Sequence, residues 1–309
     1  MNRRILFEMN SVYRDSFRVA GYVFGHGEKS ACIIGAMRGN EIQQLYICSQ
    51  LVKRLSEIEN AGGIKKGKSV MVVPCCNNYS MNVGKRFWPS DNTDINRMYP
   101  GYHLGETTQR IAAGIFEEIK DYQIGLQFAS NYISGKFLPH VKIMETGFED
   151  LEMAKTFDFP YVILRKPKPY DTTTLNYNWQ IWETKAFSLY TASTDAIDKE
   201  TAILAEKATL AFLAKQNIIE YNHKDIYDTK VLCENDMIPV KSDVSGIFLP
   251  EKGHDDLVSK GDILANIVDP YEGHVIRQIT APCKGRIFFV QDKTLLLSNA
   301  LVYRIIKED

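Results

Sequence analysis

From residue 30 onward, short unbroken apolar runs alternate with stretches whose apolar residues recur every three or four positions. SACIIGAM (30–37), KSVMVVPCC (68–76), YQIGLQFAS (122–130), YVILRK (161–166) and AFSLYTA (186–192) read as strands. A run without polar alternation is what a strand covered on both faces requires. The spacing between them predicts helices. One begins after Asn40, a suitable N-cap, and stripes Ile42, Leu45, Tyr46, Leu51, Val52, Leu55 and Ile58. Others are expected at 106–121, with Ile111, Ile115 and Ile119 on one side, at 148–157, around 172–185, and over 197–216. This alternation argues an α/β domain, a mainly parallel sheet flanked by helices. Ligands of such sheets sit beyond the carboxyl ends of strands, where Arg38, Glu41 and Gln127 fall.

Two segments break the alternation. Residues 77–105 (NNYSMNVGKRFWPSDNTDINRMYPGYHLG) carry no periodic pattern, yet are too rich in aromatics and particular polar residues to read as disordered. A loop of that length in a compact domain is usually functional. After residue 223 the texture changes to short β-rich runs split by Gly, Pro and Asp, which predicts a small all-β barrel or sandwich over 224–309. Its VSKGD (258–262) and ITAPCKG (279–285) turns resemble those of lipoyl/biotinyl-like domains. Lys284 stands where an acceptor lysine would, but its flanks do not match one, so a structural or lid-forming appendage is expected.

Composition narrows the function classes. Net charge is −1, and no basic run is interleaved with aromatics, so nucleic acid is not an expected partner. No apolar stretch reaches the ~18 residues that span a bilayer, and MNRRILFEMN lacks a secretory core, which predicts a cytoplasmic protein without membrane attachment. The cysteines at 32, 48, 75, 76, 233 and 283 show no C-x-x-C spacing and read as reduced core thiols.

The chemistry concentrates at GAMRGNEIQ (35–43), an apolar strand followed by Gly-x-x-x-Gly-Asn-Glu opening a helix. Together with RFWPSDNTDINRMYPG (86–101), the strand ending near Gln127 and the later PHVK (139–142), it resembles the succinylglutamate desuccinylase/aspartoacylase family of zinc-carboxypeptidase-like hydrolases. The resemblance runs from about residue 28 to 217, and bacterial members carry a small C-terminal β domain. It implies a zinc-dependent deacylase whose first two ligands come from a Gly-x-His-Gly-Asn/Asp-Glu turn and whose third is a strand-end histidine. Here only Glu41 matches: Arg38 and Gln127 stand at the two histidine positions. The general-base glutamate aligns loosely with Tyr190, and Glu183 upstream keeps that point open. Arg86, Asn96 and Arg97 match residues that grip the carboxylates of an acylated amino acid.

A guanidinium has five donors, no acceptor and a permanent charge, so Arg38 repels a divalent cation. An amide oxygen suits harder cations than zinc. Arg38 is therefore expected to pair with Glu41, with Gln127 accepting a further N–H, leaving a positively charged pocket and no cofactor. A zinc site rebuilt from other ligands would draw on His140, His103 or the Cys75–Cys76 pair, none of which has a ligand spacing. The favoured reading is a family member that binds an N-acyl amino acid or similar carboxylate-bearing amide, homo-oligomeric or not, with the ordinary zinc hydrolysis argued against. The alternatives are an active, divergent metal-dependent deacylase and an interaction module working through the C-terminal β domain.

Overall fold

The computed structural model describes residues 1–12 and 15–308. The chain divides into two compact units, residues 1–130 with 140–231, and residues 131–139 with 232–309. The division expected at 223/224 differs from this one by a few residues and by the excursion at 131–139.

The first unit opens with strands β1 (Asn2–Met9), β2 (Phe17–Gly25) and β3 (Gly27–Ala36), followed by helix α1 (Ile42–Asn60) and β4 (Gly67–Cys75). Then come α2 (Asn78–Asn82), α3 (Thr107–Ile119) and β5 (Ile124–Phe128); β6 (Gly135–Phe137) belongs to the second unit. The first unit resumes with β7 (His140–Met144), α4 (Leu151–Ala154), β8 (Tyr161–Arg165), α5 (Leu175–Ile181), β9 (Lys185–Tyr190) and α6 (Lys199–Lys215). Strand β10 (Lys230–Cys233) leads onward. The sheet order is β1-β2-β4-β3-β5-β9-β7-β8-β10. It is a mixed sheet: β4, β3, β5 and β9 run parallel, as do β7 and β8, while β1–β2, β2–β4 and β7–β9 pair antiparallel.

The apolar runs form strands because both faces of the sheet are covered. Successive side chains point to opposite faces. Ala31, Ile33, Val70 and Val72 therefore enter one core with Ile47, Leu51 and Leu55 of α1 and the α6 alanines. Cys32, Ile34, Met71 and Val73 enter the other, with Ile111 and Ile115 of α3 and Trp179 of α5. Three expected elements need correction. Helix α1 starts one residue later than Asn40 would dictate, with Glu41 in the N-cap position, and its buried stripe is Gln44, Ile47, Cys48, Leu51 and Leu55. The helix expected at 148–157 is a single turn: Asp150 sets its start by accepting from Met153 N–H, and the helix ends at Ala154. The one expected at 172–185 is confined to α5, between the Thr174 cap and a turn in which Glu183 takes φ +66.

The second unit continues from residue 232 with β11 (Met237–Lys241), β12 (Gly246–Pro250), β13 (Leu257–Val258), β14 (Ile263–Val268), β15 (Val275–Thr280), β16 (Gly285–Gln291), β17 (Leu295–Leu296) and β18 (Leu301–Lys307). One antiparallel sheet runs β11-β18-β16-β13, with β6 pairing on β16, and the other β15-β14-β12-β17. Phe248, Leu264, Ile267, Ile287, Val302 and Ile305 share one core between them.

Candidate functional site

The turn after β3 is shaped by close backbone packing. Gly39 donates its N–H to Arg86 O at 2.9 Å, and a Cβ there would lie 2.1 Å from Lys85 O. Only glycine lets the 80–86 segment approach so near, and that approach seats Arg38 against the long loop. Glu41 folds back over the turn: Oε2 accepts from the N–H groups of Met37 (2.7 Å) and Arg38 (3.0 Å). Its Oε1 accepts from Arg38 Nη1 at 2.9 Å and from the Ser130 hydroxyl. Four donors occupy the roughly four lone-pair positions that a carboxylate offers.

The other side of the guanidinium is held by the loop. Arg38 Nε and Nη2 donate to Asp94 Oδ2 at 3.0 and 2.8 Å, and Asp94 Oδ1 caps the short turn at Ile95–Arg97 by accepting from Asn96 N–H. Arg38 is 4%, Glu41 1% and Asp94 8% exposed, so the cluster lies out of water. Burial opposes the arginine's charge, but the Glu41 and Asp94 carboxylates outweigh it and hold its pKa above the ordinary range. Pairing of Arg38 with Glu41 is as expected. The second acceptor is Asp94 rather than Gln127, so one guanidinium is held between two carboxylates.

Gln127 belongs to an adjoining row of amides. Its Oε1 accepts from Asn176 Nδ2 at 2.6 Å, and its Nε2 donates to Asn96 Oδ1 at 3.4 Å. Ser130, three residues further along, is the residue that reaches Glu41. Arg86 extends toward Asn40, with Nη1 3.4 Å from Asn40 Oδ1, and lies over the Phe87 ring. Arg97 turns to a separate cluster: Nη1 donates to Tyr170 O at 2.6 Å and is 3.5 Å from Asp171 Oδ1, which Arg165 also approaches through Oδ2. The guanidinium groups of Arg38, Arg86 and Arg97 are thus each held by different partners. Tyr190 ends β9 stacked on His140, ring centroids 4.8 Å apart, with Lys142 Nζ 4.8 Å from the Tyr190 ring centre. Glu183 is exposed in the turn before β9.

The other metal-ligand candidates are placed as follows. His103 is exposed in the long loop, and burial pushes the Cys75 thiol up to about 12 and raises Cys76 as well, so neither thiol is poised as a thiolate. Among the described residues, Asp158, His223 and Asp225 form a group whose ligand atoms lie within 4.8 Å. Their hydrogen bonds are already committed. Asp158 Oδ1 accepts from Ile226 and Tyr227 N–H, its Oδ2 meets His223 Nε2 at 2.7 Å, and Lys215 Nζ takes both Asp225 oxygens. Desolvation raises the Asp158 pKa, but these donors outweigh it and hold the carboxyl below its usual value. The group therefore stabilises the fold above the unfolded carboxyl value near ~3.9, and that contribution is lost as pH falls through the lower folded value. Asp158→Asn is expected to flatten the acid limb of a pH–stability curve read by urea unfolding; an unchanged limb would contradict this role.

Asp94, Ser130 and Asn176 were not among the residues expected at the site. Asp94 alone carried a signal, the Asp-x-Asn spacing of a side-chain cap over a tight turn.

The fold is of the zinc-carboxypeptidase-like α/β class. The model of the succinylglutamate desuccinylase/aspartoacylase catalytic domain matches residues 28–215, and the chain belongs to that family. A succinylglutamate desuccinylase from Silicibacter sp. superposes with a TM-score of 0.81 at 17% identity, covering 97% of this chain and 91% of that one. A succinylglutamate desuccinylase/aspartoacylase from Rhodobacter sphaeroides gives 0.79 at 16%, covering 99% and 95%. The product-bound ectoine utilization protein EutE from Ruegeria pomeroyi gives 0.77 at 19%, covering 94% and 89%. No curated protein matches the chain by sequence. No helix among the described residues is long and apolar enough to cross a membrane.

Proposed function

We propose that this protein binds an N-acyl amino acid or similar carboxylate-bearing amide and does not hydrolyse it by the family's zinc route. The observation that carries this is the state of Glu41, whose two oxygens are engaged by four protein donors, one of them the Arg38 guanidinium. Zinc needs lone pairs from imidazole, thiolate or carboxylate. Arg38 offers none, Gln127 has its oxygen turned to Asn176, and Glu41 has none to spare. The residues do not fit the metal, so neither a metal-bound hydroxide nor Lewis-acid polarisation of the amide is available from this donor set. Tyr190, at the general-base position, is a phenol stacked on His140 where the family's glutamate would offer a carboxylate.

What supports ligand recognition is the neighbouring pair Asn96 and Arg97. Arg97 is anchored by Tyr170 O yet leaves 26% of its side chain accessible, a geometry suited to a carboxylate. The test is thermal denaturation of the purified protein with N-succinyl-L-glutamate, monitored beside product formation. A ligand-dependent rise in Tm, absent in Arg97→Ala and unaccompanied by turnover with or without added zinc, is expected. Chelator-sensitive hydrolysis would overturn the reading in favour of an active deacylase.

A further inference from the structure

The amide row beside the Arg38 cluster ends on an atom that has no hydrogen-bond donor. Its register can be read from one backbone group. Leu175 N–H donates to Asn96 at 3.3 Å, so the contacted atom of Asn96 is its oxygen. Gln127 must then present its NH2 to that oxygen, at 3.4 Å, which turns Gln127 Oε1 toward Asn176. Asn176 meets it with Nδ2 at 2.6 Å, leaving Asn176 Oδ1 buried with no partner among the described residues. Asn176 is 5% and Gln127 2% exposed, so bulk water does not supply the missing donor. Flipping Asn176 would set two acceptor oxygens against each other at 2.6 Å; the orientation is fixed by the row. A buried acceptor left unpaired is costly, and native proteins rarely keep one without a use for it.

We propose that Asn176 is a specificity-determining residue whose Oδ1 accepts a hydrogen bond from the N–H of the bound ligand's amide. This rests on the reading above, that an acid-bearing amide binds beside Asn96 and Arg97. The row is continuous with that pair: Asn96 shares its oxygen between Leu175 and Gln127, and Gln127 holds Asn176. An acceptor at its end favours an amide N–H and repels the lone pairs of an ester oxygen in the same place. An enclosed water is the competing occupant, and an ester control separates the two.

The experiment compares N-succinyl-L-glutamate with its ester counterpart, 2-(succinyloxy)glutarate, by calorimetric titration of the full chain. Wild type is expected to bind the amide at least about tenfold more tightly, since a site built to pair an N–H discriminates against an analogue lacking it. In Asn176→Ala the preference should shrink to within about threefold while the ester still binds. Equal affinities in wild type overturn the inference while leaving the acid-ligand reading intact, and that comparison does not depend on the variant folding. An undiminished preference in folded Asn176→Ala also overturns it. Failure of both compounds to bind sinks the acid-ligand reading itself.

Discussion

Arg38→Met is expected to cost the fold about 3–5 kcal/mol, the range typical for removing one partner of a buried ion pair. The loss comes less from the bonds themselves than from what they leave behind. Glu41 and Asp94 are 1% and 8% exposed, and without the guanidinium they become two buried like charges. Glu41 keeps its backbone donors from Met37 and Arg38 N–H, whereas Asp94 Oδ2 loses both of its donors. Arg38→Lys should recover only part of the deficit, because one ammonium cannot reproduce three nitrogens directed at two carboxylates. Urea unfolding near neutral pH measures both variants, with the slope checked for two-state behaviour. A change below about 1 kcal/mol for Arg38→Met would mean that the cluster contributes no more than an exposed ion pair.

The second large effect is a gain. Arg38→His combined with Gln127→His should create zinc binding, with a dissociation constant roughly micromolar or tighter. The first change removes the fixed charge and frees the Glu41 lone pair that Arg38 Nη1 occupies. The second supplies an imidazole at the carboxyl end of β5, where Gln127 pairs in register with Ile34 of β3. Calorimetric titration of zinc into the folded double variant reads the outcome. A folded variant that ignores zinc would show that Gln127 is not the position of the third ligand, and that Ser130, which does touch Glu41, deserves the histidine instead.

The parts of this molecule legible in the sequence are those fixed by local pattern. Strands β3 and β4 were readable because residues such as Ala31–Ile34 and Val70–Val73 are buried on both faces, and an uninterrupted apolar run signals that. Helix α3 was readable from Ile111, Ile115 and Ile119. Helices α4 and α5 are shorter than the periodicity suggests, and their starts are set by single capping side chains, Asp150 and Thr174, which periodicity does not weigh. At the site, Arg38 with Glu41 was legible since the two lie on one turn. Asp94 was not, being 56 positions away and brought in by the folded course of the long loop. Asp94 places a second acid on the guanidinium, which the turn sequence by itself does not reveal. Gln127 lies at the end of β5, as its apolar run implies, but it pairs with Asn176 and Asn96, because an amide takes whichever donor or acceptor the fold presents.

We propose that the Arg38 guanidinium, anchored by Glu41 and Asp94, takes the place of the family's zinc. Elemental analysis of the full chain, purified without chelator or affinity metal and then dialysed against zinc-supplemented buffer, tests it most directly. Zinc far below one atom per chain, unchanged by Glu41→Gln, is expected. One zinc per chain that survives dialysis and disappears in Glu41→Gln would contradict it.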